Sequence, residues 1–525
     1  MSQNNLVTDF LYHVNNSPDK IAFVIPENID SLNDYKEKLI TFSHFYEIVA
    51  KYRKGLKNEG YVKGDRIIIL APINEKTYAL MLAIFSLGMV VVFLDPGIGL
   101  KKILRAISDS KAKAIISVDK LLKYHFLFPS LWKKTKYTID QNRIGLKQEN
   151  TLYAKEYDKI IAEKMQPDDY ALMTYTSGST GKSKGTNRNI ENITKQINFI
   201  KKAWPCHETT IDFPSFPMFG LMNLLCGITT VVPAVNFSNI GSFNPEVVIK
   251  QMERWNITRM CGSYAFHNKL VKKLKEKNKK IKSLKNIAFG GCPVTEEFCQ
   301  GLFEIYPNAK TEIIYGSTEV APISSIEINE FLAAKGDGFL VGHIYPGLQV
   351  KVVKLPQKIY EFDHQDGKQY EMGTNSIGEV IIQGPHVVQE YIDNPQATKE
   401  NKIKSPTGKK WHRSGDCGYF DNEGRLWLVG RINDIIWSAQ KELHPYSIEA
   451  QLDKLQGIQR SALVQKGKEI KLFIEGQLNT KNQPLLKQLL QKNNLEKVKL
   501  QSITKIPVDD RHNSKIDRVK LRGMI

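Results

Sequence analysis

Residues 174–185 read TYTSGSTGKSKG, a run of hydroxyls, glycines and lysines suited to holding phosphate. Glycine lets the backbone approach an anion closely, so that N–H groups and hydroxyls can cradle it, and Lys182 and Lys184 add positive charge. The nucleotide-binding P-loop, G-x-x-x-x-G-K-[ST], does not explain the run. The glycine it requires five places before Gly181 falls at Thr176. Four further stretches have matching chemistry. NIAFGGCPV (286–294) sets Gly290 and Gly291 straight after an apolar strand, where a flat ring can lie against bare backbone. IIYGSTEVAP (313–322) offers Tyr315 as a stacking face, Thr318 as a hydroxyl and Glu319 as a hard oxygen ligand for Mg²⁺. HRSGDCGYFDNEGRLWLVGRIND (412–434) supplies Arg431 and Asp416, whose carboxylate can accept from both hydroxyls of a ribose. PVDDRHNSKIDR (507–518) sets Lys515 in a polar terminal loop. Singly, such residues are more often caps or ion pairs. Together they describe a nucleotide site with a metal ligand, a ribose clamp and a mobile cation.

The elements that must carry these residues follow from periodicity. RIIIL (66–70) and VVVFL (90–94) are continuous apolar runs, the pattern of strands buried on both faces of a parallel sheet. AKAIIS (112–117), TTVVPAV (229–235), NIAFGG (286–291) and TEIIYG (311–316) read the same way, with helical stretches between them. This alternation predicts an α/β fold with mostly parallel sheets. From about residue 340 the strands shorten and the turns tighten, as at Asn422-Glu423-Gly424, which predicts a compact β subdomain. We expect a large N-terminal domain over 1–432, a link at 433–435, and a small mobile α+β domain over 436–525 that carries Lys515.

A chain of 525 residues is too long for one core, and its 42% hydrophobic and 25% charged content is that of a globular enzyme. The net charge of +19 is mostly lysine and spread along the chain, without arginine-rich blocks or a nucleic-acid motif, so no nucleic-acid partner is expected. The densest run, 268–286, reads first as the solvated face of a surface helix. Its sharper reading is a patch steering the protein to anionic lipid or a lipid-carrying partner. None of the six cysteines is paired at C-x-x-C spacing, which argues for reduced thiols and a cytoplasmic protein. MSQNNLVTDFLYHVNN lacks the pattern of a signal peptide. The longest apolar run, 78–94, contains Gly88 and reads as a buried helix passing into a strand rather than a bilayer span; peripheral membrane contact stays open.

In the order of its motifs, from about residue 20 to 520, the sequence resembles the AMP-forming adenylate superfamily of acyl-CoA synthetases, peptide-synthetase adenylation domains and luciferases. TYTSGSTGKSKG resembles that family's phosphate loop, YGSTE its Tyr-Gly-x-Thr-Glu box, and SGD followed by GR its ribose-binding pair. The resemblance implies ATP and Mg²⁺, and a substrate carboxylate that takes the AMP while pyrophosphate leaves. It implies that Thr176, Ser177, Gly178, Ser179, Thr180, Gly181, Lys182, Lys184 and Gly185 form the loop around the β- and γ-phosphates. It further implies that Gly290, Gly291 and Tyr315 flank adenine with Gly316 also at the nucleotide, that Asp416 and Arg431 hold ribose, that Thr318 contacts the α-phosphate, and that Glu319 ligates Mg²⁺. Lys515 would bridge carboxylate and α-phosphate, delivered by a domain that swings about Asn433 and Asp434.

Three departures from the family pattern bear on substrate and acceptor. In FPSFPMFGLMNLLCG (213–227), Gly220 replaces the usual histidine, and Phe216, Met218, Phe219 and Leu221 suggest a pocket for a fatty acyl chain. Ala439 and Gln440 stand where acyl-CoA synthetases carry a glycine pair, so a methyl and a longer amide would crowd a thiol channel. RHNSKIDR replaces the usual Thr-x-x-Gly-Lys ending and, with FPMFG and YGSTEVAPIS, resembles the OleC-like branch, which closes a β-hydroxy fatty acid to a β-lactone. The leading expectation remains a fatty acid–CoA ligase. Lactone closure and loading of a carrier protein are the alternative fates of the acyl-adenylate. An inactive nucleotide- or lipid-binding relative is the non-enzymatic alternative, disfavoured because Glu319 and Lys515 are both kept.

Overall fold

The apolar runs at 66–70 and 90–94 become parallel strands with a separate core on each face. In the computed structural model, which describes all residues except 1–4, 30–31, 34, 141–142, 177–183, 205, 238, 357–358, 363–366, 438–441, 478–481 and 509–514, the chain forms two units. One comprises Met1–Gly262, Ile281–Ile287 and Glu390–Thr398, and the other Ser263–Lys280, Ala288–Gln389 and Lys399–Ile525.

Strands of the first unit, numbered along the chain, are β1 Ile21–Pro26, β2 Glu37–Thr41, β3 Arg66–Leu70, β4 Val90–Phe93, β5 Ala114–Ser117, β6 Thr135–Thr138, β7 Lys147–Gln148, β8 Tyr170–Thr176, β9 Lys184–Asn189, β10 Ile211–Pro214, β11 Thr229–Val231 and β12 Arg259–Ser263. One sheet has the order β7-β6-β5-β3-β4-β8-β9, parallel except for the β8–β9 hairpin. Ile67, Ile69, Val91 and Ile116 enter the core on one of its faces, whereas Ile68, Leu70, Val92 and Ile115 enter the core on the other. Two buried faces explain why these strands read as unbroken apolar runs. The helix Glu75–Ser86 is buried almost throughout, capped at Asn74, whose Oδ1 accepts the Thr77 N–H at 3.0 Å. At Gly88 the backbone turns with φ of +66° before β4 begins, as the 78–94 run suggested. No helix among the described residues is long and apolar enough to cross a membrane. Beside this sheet, β10 pairs in parallel with β11 and β12, and β11 with β1.

The second unit contains β13 Asn286–Gly290 (from Ala288 onward), β14 Lys310–Tyr315, β15 Ser324–Glu327, β16 Phe339–Ile344, β17 Gln349–Val353, β18 Gly378–Gln383, β19 Lys402–Lys404, β20 Lys410–Phe420 and β21 Leu426–Arg431. After them come β22 Ile436–Trp437, β23 Glu442–Leu443, β24 Ile458–Lys466, β25 Glu469–Gly476 and β26 Lys499–Ile503. The run β17-β18-β20-β21-β16-β15-β14 is antiparallel throughout. The β20–β21 turn is closed by Asp421, whose carboxylate accepts from Arg425 and from the Trp427 indole, while Gly424 takes φ of +74°. In the C-terminal segment β24-β25-β26 likewise has two apolar faces. Leu463 and Leu472 pack with Ile448 and Leu452 on one side, and Ala462, Val464 and Phe473 with Ile506 and Leu521 on the other. The α/β architecture expected from the sequence is present.

The lysine-rich run is helical only as far as Glu276. In the helix Tyr264–Glu276, Phe266, His267, Leu270, Val271 and Leu274 face inward and the lysines outward. Burial beside Phe266 and Phe289 pushes His267 down to about 3, so it is neutral in the fold. The unfolded chain takes up a proton there near pH 6.5, so this contribution to stability is whole above that pH and is lost as pH falls. We expect the unfolding free energy of His267→Phe to drop by on the order of 2 kcal/mol less than that of the parent between pH 7.5 and pH 5. Urea denaturation of both proteins at the two pH values measures the difference.

Candidate functional site

In the first unit the phosphate-loop motif sits on the β8–β9 hairpin. Loop residues Ser177, Gly178, Ser179, Thr180, Gly181 and Lys182 lie outside the described residues, as does the side chain of Thr176. Its two stems are well defined. Thr174 and Thr186 share a hydroxyl hydrogen bond of 2.8 Å, and the Arg188 guanidinium donates to Thr174 Oγ1 at 3.0 Å. Gly185 lies against the Tyr175 ring, where a Cβ would come within 3.1 Å of ring carbons. Its carbonyl accepts the Ile392 N–H, and Lys184 Nζ stands 5.4 Å above the Tyr391 ring. Residues 390–392 thus strap the stem from which the loop springs.

The FPSFPMFG stretch leads into the helix Pro217–Cys226, opened by Pro217 at its first turn and closed by Gly227 with φ of +68°. Phe216, Met218 and Phe219 are half-buried; Leu221 belongs to the core. Gly220 has a steric explanation. A Cβ there would lie 2.5 Å from the Tyr78 hydroxyl, which donates to the Pro217 carbonyl at 2.8 Å while its ring stacks on Phe23. Beneath the helix, Arg259 donates to Asp212 at 2.9 Å and to Asn223 Oδ1 at 2.8 Å, and the Asn223 amide donates to Asp212 and Thr230. This buried network is satisfied on every polar side, which fixes the helix on β10 and β11.

The second unit carries Gly290 and Tyr315 on the adjacent strands β13 and β14, and Asp416 and Arg431 on the adjacent strands β20 and β21. At Gly290 the backbone presses on β14 so closely that a Cβ would meet the Ile314 carbonyl oxygen at 2.0 Å; Gly291 has φ of +92° and open space beside it. The Tyr315 hydroxyl donates to Asp416 Oδ2 at 2.6 Å, and Arg431 Nε donates to Oδ1 at 2.7 Å. Asp416 and Arg431 face each other across β20 and β21. Ser414 completes the support: its hydroxyl donates to the Val380 carbonyl and accepts the Asp416 N–H. Burial first and the carboxylate second hold the Tyr315 phenol well above its ordinary range, while Asp416 raises Arg431. A carboxylate oxygen has two lone pairs, so each oxygen of Asp416 retains one for a further hydroxyl donor.

Gly316, Thr318 and Glu319 lie in a tight turn after β14, closed by paired backbone bonds between Ser317 and Val320. The Glu319 carbonyl accepts the Val388 N–H, anchoring the turn. Both Thr318 and Glu319 are half-buried. A single carboxylate set this way fits Mg²⁺, which keeps most of its ligands as water and phosphate oxygens.

Asn433 and Asp434 are gripped by the helix Arg518–Arg522. Arg522 donates to Asp434 at 2.6 Å and to the Asn433 carbonyl, and Arg518 reaches Asp434 at 3.5 Å. Arg518 is itself buried in a bidentate pair with Glu449, at 2.9 and 2.7 Å, over the Tyr446 ring. Lys515 is exposed, beside the bridge from Val508 to Ile516. Ala439 and Gln440 lie outside the described residues. Sequence reasoning missed Tyr78, Ser414, Tyr446 and Arg518. Ser414 was legible two places before Asp416, but the others reach across long separations that no local pattern shows.

The AMP-binding enzyme family matches residues 10–392. An olefin beta-lactone synthetase of Stenotrophomonas maltophilia is 25% identical over 510 residues, 91% of each chain. The 4-coumarate–CoA ligase-like 6 protein of Arabidopsis thaliana is 26% identical over 438 residues, 81% of this chain and 73% of its own. The structure of O-succinylbenzoate coenzyme A synthetase from Bacillus subtilis, solved with ATP and magnesium ion, superposes with a TM-score of 0.78 over 98% of this chain and 99% of that one, at 20% identity.

Because Asp416 accepts charged and neutral donors at once, its loss should cost more than loss of either donor. Asp416→Ala is expected to lower unfolding free energy by about 3 kcal/mol and Tyr315→Phe by about 1 kcal/mol. Equal costs in urea titrations would mean that the carboxylate is not the centre of this cluster.

Proposed function

The chain belongs to the AMP-binding enzyme family, and from that premise we propose that it activates a hydrophobic carboxylic acid with Mg²⁺–ATP and closes the acyl-adenylate to a β-lactone. The reading is carried by similarity along 91% of both chains to an olefin beta-lactone synthetase. It is supported by the presence in one sequence of Thr318, Glu319, Asp416, Arg431 and Lys515.

In the first step the substrate carboxylate oxygen bonds to the α-phosphorus of ATP and the bond to pyrophosphate breaks. Anionic groups must be brought together, so positioning and compensation of charge supply most of the rate. In this reading the loop from Thr176 to Gly185, with Lys182 and Lys184, holds the β- and γ-phosphates. Gly290, Gly291 and Tyr315 flank adenine, and Asp416 with Arg431 holds the ribose. Thr318 contacts the α-phosphate and Glu319 would hold Mg²⁺, whose charge lowers repulsion among the phosphates. Lys515 places a point cation where charge passes from carboxylate to α-phosphate, delivered as residues 436–525 turn about Asn433 and Asp434. In the second step the β-hydroxyl oxygen bonds to the acyl carbon, AMP leaves, and the hydroxyl proton passes to solvent. The nucleophile is part of the substrate, so its effective concentration is high and no thiol channel is needed. That suits Ala439 and Gln440. Phe216, Met218 and Phe219 suit a fatty acyl chain.

One observation favours a second reading, transfer to CoA: the similarity to a 4-coumarate–CoA ligase-like protein over 81% of this chain. The two fates separate by mass. With Mg²⁺–ATP and a β-hydroxy fatty acid, lactone closure gives, without CoA, AMP and a product lighter than the acid by one water. A thioester formed only when CoA is added would establish the ligase instead, and acylation of an added carrier protein alone would replace both.

Lys515→Ala should slow pyrophosphate release on the order of 10²-fold or more while leaving ATP binding and thermal unfolding close to the parent's. Pyrophosphate release at the parent rate would remove this lysine from the adenylating step.

A further inference from the structure

A surface of the first unit is both apolar and basic, and nothing in the adenylating reaction uses it. Between β5 and β6 the helical turn Asp119–Leu122 is followed by two more, His125–Leu127 and Pro129–Trp132. Leu122 and Leu131 are fully buried in the core beneath. Anchored there, the segment turns its other large side chains outward: Phe126, Leu127 and Trp132 are 59%, 60% and 61% exposed. Tyr124 is also exposed, and Ile144 fully so. These groups form one surface. The Trp132 indole donates to the Phe126 carbonyl at 2.9 Å, locking the two turns together. Gly145 lies against the His125 ring, where a Cβ would stand 3.5 Å away, which brings Ile144 alongside.

Charge accompanies this apolar surface. Residues 119–147 hold seven Lys/Arg and two Asp. One of the two, Asp119, is paired with Arg143 at 2.7 Å, and Asp140 accepts a backbone N–H. Lys123 Nζ lies 4.8 Å from the Tyr124 ring, and Lys120 and Lys133 flank the same turns. Exposed Trp, Tyr, Phe and Leu ringed by lysines match a lipid interface, with rings among the headgroups and cations on anionic phosphates. The run at 268–286 lacks that combination, since its apolar residues Leu270, Val271 and Leu274 face the core.

We propose that the surface formed by Tyr124, Phe126, Leu127, Trp132 and Ile144, with Lys120, Lys123 and Lys133, seats this protein on an anionic lipid bilayer. This does not rest on the reaction assigned above, and its test reads binding alone. The full chain is mixed with vesicles of phosphatidylcholine containing about one third phosphatidylglycerol, or of phosphatidylcholine only, and sedimented at low and high salt. The parent is expected to sediment with the anionic vesicles and to be released by salt. Phe126→Ser/Leu127→Ser/Trp132→Ser should lower the partition coefficient at least tenfold with circular dichroism unchanged. Lys120→Glu/Lys123→Glu/Lys133→Glu, which leaves the apolar groups in place, should do the same for anionic vesicles. Parent-like sedimentation of both variants, or no sedimentation of the parent, overturns the proposal. So does a parent dimer in light scattering that the serine variant splits, because the surface would then be a contact between two copies.

Discussion

The second unit hangs on one carboxylate. Asp416 accepts from Tyr315 at the end of β14 and from Arg431 at the end of β21, so two strand ends are drawn to one point within β20. A buried carboxylate is costly unless each oxygen is satisfied, and here one donor is neutral and the other charged. The consequence extends along the chain. Arg431 ends β21, and three residues on Asp434 is held by Arg522 and Arg518, the latter bound to Glu449 and covering Tyr446. The clamp proposed for ribose and the grip on the proposed hinge are separated by only two residues of backbone.

Much of this was legible beforehand because its causes are local. Unbroken apolar runs such as RIIIL exist because both faces of a parallel sheet are covered, and Gly88 ends a helix because the backbone there turns to positive φ. The motif residues stood out as candidates because glycine, hydroxyl and carboxylate at fixed spacing have few structural uses in common. What stayed hidden lies in pairings between distant segments. Tyr78 sat within an apolar run and read as core, yet its hydroxyl, 139 residues from Pro217, occupies the space a side chain at 220 would need. Gly220 was read as a departure from a family pattern; its physical reason is this tyrosine. Arg518 was likewise one basic residue among many in the tail until its pairing with Glu449, 69 residues away, became visible.

The lysine excess shows how composition underdetermines use. Lysines in the helix Tyr264–Glu276 cover a helix whose apolar stripe is spent on the core, so their effect is limited to solvation and long-range field. Lysines beside Tyr124, Phe126 and Trp132 accompany apolar groups that the fold leaves in water. Equal charge thus has unequal meaning in the two places, and only exposure of the neighbouring side chains separates them. The long-chain acid proposed as substrate would partition into bilayers, so an enzyme consuming it would gain from being held at the surface where the acid is concentrated. Affinity of that surface needs no precise pocket: rings and aliphatic tips at the headgroup level, with cations among them, suffice. The same looseness would let the protein leave once its charge attraction is screened, which suits a catalyst that must also meet ATP from solution.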